Sequence, residues 1–241
     1  MRFLASFLMG LVLAGWVVWR AGQPVPRPAW AEPGYKNPIL AFEFARTPEK
    51  IRTLFAVGNE AVSPLARTTF RHRMRHAVVL DALFLFLYAG FLVSFSLELG
   101  RYVDLPVVGY LGAGLALFVG YCDVLENEQL FVILDRLDTG RYTAALRYLT
   151  FFTGLKWGAL PLLALTWLPA LWRLGTVSRV LFVVAGTVGV LGFAFWLPWE
   201  RPEILEVAAV AFALLVLLLL FYAGLLTVAA NRPGKSLPTW L

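Results

Sequence analysis

The apolar residues of this chain gather into long runs instead of recurring at amphipathic spacing. Six such runs occupy residues 3–19, 77–99, 105–125, 148–171, 177–198 and 204–229. A hydrocarbon core of about 30 Å is crossed by about 20 predominantly apolar residues in a helix, because every backbone amide must find its partner within the segment. The pattern therefore predicts an all-α, polytopic integral membrane bundle of about six transmembrane helices, with a short, partly structured loop domain between the first two. Residues 1–20 read as an N-terminal transmembrane anchor, 21–75 as an extramembrane loop with short amphipathic helices, 76–230 as a five-helix bundle and 231–241 as a short polar tail. The first run has a second reading, a cleaved signal peptide with AWA at 29–31 as its processing site. Its apolar core exceeds the usual length of about 7–15 residues and the site lies far downstream, which favours a retained anchor.

The loop carries its own start signals. NPILAFEFA alternates Leu40, Phe42 and Phe44 against smaller or polar neighbours, a period that suits a short extended segment. In RTPEKIRTLF, Thr47 caps a helix with Pro48 in its first turn, and Ile51, Leu54 and Phe55 form an apolar stripe. Ser63 and Pro64 start another helix, and no breaker separates it from the second apolar run, so one helix is expected from about 64 to 99. Along its first turns Arg67, Arg71 and Arg75 repeat at i, i+4 and i+8. That basic face is expected to hold anionic lipid phosphates, at about 1 kcal/mol per residue near the surface, or an anionic ligand or partner.

Composition agrees with the pattern. The chain is 60% hydrophobic and 15% charged, against about 25% charged in soluble domains. Its net charge of +6, without a soluble basic domain, points to the bilayer and its anionic headgroups as partners and away from nucleic acid. A protein partner or a second copy of the chain remains compatible. Cys122 is the one cysteine, so no internal disulfide and no four-cysteine metal site can form. With six spans, the face holding loop 21–75 carries fourteen Lys and Arg and the opposite face six. The positive-inside rule then puts the loop in the cytoplasm of a prokaryotic plasma membrane. Trp16, Trp19, Trp172, Trp196 and Trp199 fall at expected span ends, where an indole prefers the headgroup layer, whereas Trp157 and Trp167 are expected to pack between helices.

Candidate chemistry lies at the end of the third run. Gly109, Gly112, Ala116 and Gly120 share one face, and that face continues to Asp123 and Asn127. A stripe of small residues lets helix backbones approach closely, so the carboxylate should point into the bundle. At about 1.5 Å per residue, Asp81 sits about 6–8 Å inside the second span and Lys156 about 12 Å into the fourth, both on the loop side with Asp123. A charge in hydrocarbon costs about 2.5–3.5 kcal/mol on insertion scales, so such groups pair. Lys156 is therefore expected to meet Asp81 or Asp123, with Asn127 and Tyr88 or Tyr121 supplying further hydrogen bonds. Glu126 and Glu128, about 60° to 100° or more off the Asp123 face, are expected to look toward loops or headgroups.

His72 and His76 stand at i, i+4, but the neighbouring arginines oppose a cation, and no metal or cofactor is expected. No HExxH, CxxC, Walker or GxSxG pattern occurs, so catalysis is not the favoured reading. Gly154, Gly158, Gly186 and Gly189 read as packing contacts, and Pro161 and Pro169 are expected to kink or end their helix. The sequence thus supports an accessory or ligand-binding membrane component with a buried Asp/Asn/Lys cluster. A small transporter or proton- or ion-coupled carrier is the alternative, and an intramembrane lipid-modifying enzyme comes third.

Overall fold

A computed structural model describes residues 25–30 and 36–195, together with single positions in the first and last apolar runs. All regular structure among the described residues is helical: α1 (Pro38–Glu43), α2 (Pro48–Leu54), α3 (Pro64–Tyr102), α4 (Pro106–Arg136), α5 (Thr143–Arg173) and α6 (Thr176–Phe195). Among the described residues α3, α4 and α5 are long and apolar enough to cross a membrane. The fifth expected span coincides with most of α6, while the first and last lie largely outside the described residues. Where those two runs are described, Leu13, Leu215, Leu219, Tyr222 and Ala223 are buried in the same core as α3 and α5.

Three helix starts are each capped through a named atom. Asn37 Oδ1 accepts from the Ile39 amide, Thr47 Oγ1 from Lys50 and Ser63 Oγ from Ala66, and a proline opens each helix. The first of these corrects the expectation of an extended segment at 38–44. Alternation over so few residues does not separate a strand from a helical turn, and the Asn-Pro cap decides for the helix. α3 has 39 residues, so at about 1.5 Å per residue it is nearly twice as long as a hydrocarbon core is thick. α5 runs through Pro161 and Pro169 to Arg173, so neither proline ends it.

Consecutive long helices pack side by side, α3 on α4, α4 on α5 and α5 on α6. The small-residue stripe produces the first contact: a Cβ placed on Gly100 would lie 2.6 Å from Gly109 Cα, so the two backbones meet directly. Farther along, Gly112 leaves room for Ser96 and Trp167, whose Nε1 donates to Ser96 Oγ at 3.0 Å.

Two apolar cores result. One lies among the long helices around Phe91, Phe95, Leu99 and Trp167. The other lies where α1 and α2 fold onto the projecting ends of α3, α4 and α5, burying Phe42, Ile51, Phe55, Phe70, Met74 and Ile133. Trp30 pins the approach to this second core by donating to the Leu54 carbonyl and meeting Phe70 edge-on. Burying each such side chain contributes about 1.5–3 kcal/mol, enough to hold two helices too short to persist alone. The polar site sits between the two cores.

Candidate functional site

Four elements converge on Lys156. α5 carries it inward from the loop side, with 7% of its surface exposed. Its Nζ donates to Asp123 Oδ1 at 3.0 Å and to Glu126 Oε1 at 2.8 Å, both on α4, and stands 3.6 Å from Glu43 Oε2 on α1. The Trp157 ring lies beside the same ammonium, 5.8 Å away. From α3, Tyr88 donates its hydroxyl hydrogen to Asp123 Oδ2 at 2.5 Å. Asp81, two turns earlier on α3, accepts from Asn127 Nδ2 at 3.1 Å. Thr153, one turn before Lys156, donates to the Glu43 carbonyl at 3.5 Å and so ties α1 to α5.

Lys156, Asp123, Asn127, Tyr88 and Asp81 are therefore gathered in one place, and Asp123 is the aspartate that Lys156 meets. Two expectations need correction. Tyr121 is 62% exposed, because two residues before Asp123 is a rotation of about 200°, which carries it to the opposite face of α4. Glu126 is buried and bonded to Lys156, whereas Glu128 is exposed. An offset of about 60° from the Asp123 face is small enough for a glutamate and a lysine to meet across it.

Sequence reasoning missed Glu43. Its signal was a lone carboxylate inside the apolar stretch ILAFEFA, which could not be assigned a partner without knowing that the loop folds back over the bundle. Burial pushes the Glu43 carboxyl above the ordinary glutamate range; Lys156 pulls it down, and the Asp123 charge adds to the rise.

The basic face of α3 has carboxylate partners. Arg71 bonds Asp138 at 2.7 Å and Arg75 bonds Asp135 at 2.5 Å, at and just beyond the end of α4. Arg67 is half-buried, and His72 and His76 are exposed. Among the described residues no three His, Cys, Asp or Glu side chains are placed to hold a metal ion. Elsewhere on the loop side an open cleft of about 450 Å³ brings Arg27 and Arg73 together with Trp30 and Phe70.

With every group ionised, four carboxylates (Glu43, Asp81, Asp123, Glu126) would face one ammonium, leaving a net charge of −3. Glu43 Oε2 and Glu126 Oε2 are buried and receive no hydrogen bond. Buried polar atoms are almost always paired, so the arrangement calls for further positive charge or further donors. No family model, no curated protein and no solved structure matches this chain.

Proposed function

We propose that this chain is a multi-pass membrane protein of about six spans, and that it acts as a ligand-binding membrane component through the polar site around Lys156. The observation that carries this reading is the surplus of buried carboxylate over ammonium, with two oxygens that receive no donor. Intramembrane ionisable groups are costly, and a site holding more of them than mutual pairing requires is suited to binding a positively charged species. The reading assigns the cluster a binding role and no catalytic step. Loop 21–75 is proposed to be cytoplasmic on its charge excess. Arg27 and Arg73 in the loop-side cleft, along with Arg67, are its proposed contacts with anionic headgroups.

A second reading, an ion- or proton-coupled carrier, is favoured by one feature. Glu43 comes from a six-residue helix outside the long bundle, so one wall of the site can move without disturbing the spans.

Carbodiimide labelling in native membranes tests the binding role. Asp123 or Glu126 should be modified, faster as pH falls because the carbodiimide adds to the protonated carboxyl group, and a bound cation should block the modification. Absence of labelling under all conditions, together with a protein that co-purifies in mild detergent, would turn the assignment to an accessory assembly role.

A further inference from the structure

The ligand-binding reading leaves the bound species open, and the two donorless oxygens narrow it. The Glu43 and Glu126 carboxyl groups meet at the Lys156 ammonium, with Glu43 Oε2 3.6 Å and Glu126 Oε1 2.8 Å from its Nζ. They are 5% and 1% exposed, and the second oxygen of each has no donor. Lys156 faces Glu43 as a charge more than as a donor: two of its three hydrogens go to Asp123 and Glu126, and Glu43 Oε2 stands at an ion-pair distance of 3.6 Å, longer than a normal hydrogen bond. A metal ion is disfavoured because the ammonium already occupies the centre of the carboxylate ring and no three ligating groups among the described residues converge elsewhere. Two buried carboxyl groups at one ammonium, each with an oxygen that has no donor, are reconciled by one proton, which makes one group a donor to the other and removes a negative charge from the pair.

We infer that Glu43 and Glu126 share one proton across the seam between α1 and α4, and that this proton seats α1 over the polar site. The inference rests on the ligand-binding reading and names its ligand as a proton exchanged with water on the loop side. The charged groups around Glu43 are Asp81 on α3, Asp123 and Glu126 on α4 and Lys156 on α5, while Glu49, Lys50 and Arg52 on the adjoining α2 are exposed. When the proton leaves to water, Glu43 becomes a second full charge beside Glu126 with one lysine serving both. Against that repulsion α1 sets only the burial of Phe42 and a loose hydrogen bond from Thr153, over six residues. Deprotonation therefore releases α1, and reprotonation closes it.

The test uses the full chain in lipid nanodiscs. Infrared titration in heavy water reads the carbonyl stretch of protonated carboxyl groups, and hydrogen exchange reads the α1 amides across the same pH range. Wild type should show a protonated-carboxyl band at neutral pH, and Glu43→Gln and Glu126→Gln should each remove the same component of it. As that band disappears with rising pH, α1 exchange corrected for intrinsic rate should accelerate by about tenfold or more. Glu43→Gln, which donates to Glu126 at any pH, should keep α1 protected throughout. A band left unchanged by either substitution, or α1 exchange with the same pH profile in wild type and Glu43→Gln, overturns the inference. Carbodiimide labelling separates the two readings. If Asp123 is still labelled and protected by a cation while the shared band is missing, the proton pair falls and the binding site stands. If the band behaves as expected and labelling is never blocked, the pair stands and the wider binding role falls.

Discussion

Lys156 can remain in the interior because three carboxylates from two other helices surround it. Removing the ammonium exposes their mutual repulsion in a medium of low dielectric. Lys156→Met should therefore cost about 3–5 kcal/mol, read as a lower melting temperature in detergent. Tyr88→Phe deletes the hydrogen bond to Asp123 Oδ2 and should cost about 1–3 kcal/mol in the same assay. At this scale the sequence was partly legible. Depth along three helices was enough to place Lys156 with Asp123, and spacing alone put Asn127 on the Asp123 face. Angular bookkeeping failed for Glu126, because it follows Cβ directions and ignores the reach of long side chains. Tyr121 failed for the opposite reason: its rotation from Asp123 decides the matter, and Tyr88 on the neighbouring helix takes the role.

Among the elements, the α3–α4 pair shows what a small-residue stripe does. Gly100 and Gly109 let the backbones touch, so Gly100→Ala would drive its Cβ into Gly109 and push the helices apart. A loss of about 1–3 kcal/mol in denaturant titration is expected. α1 carries the pH dependence. Its Glu43 holds a proton above the ordinary glutamate range, so between that range and its raised value the folded chain binds more protons than the unfolded one. The contribution is whole at low pH and is lost as pH rises through the raised value. The melting temperature of wild type relative to Glu43→Gln should accordingly fall with rising pH; a rise, or a flat difference, would contradict the assignment. The caps at Thr47 and Ser63 were readable because they are local chemistry. The helix at 38–43 was masked by a coincidental alternation, and its place over the polar site depends on contacts more than a hundred residues away, such as Thr153 to Glu43.

For the molecule as a whole, hydropathy was the legible part: three of the expected spans appear as long apolar helices among the described residues. What hydropathy did not carry is the second core, in which the first loop folds back against the projecting ends of α3, α4 and α5. That core turns a cluster open to one side into a closed one and supplies its fourth carboxylate. The claim on which everything else depends is that Lys156 and the carboxylates facing it form one coupled unit. A double-mutant cycle with Lys156→Met and Glu126→Gln, measured by reversible denaturation in mixed micelles, tests it directly. The double variant is expected to be less destabilised than the sum of the single variants by more than about 1 kcal/mol, and additivity within about 0.5 kcal/mol would contradict the account.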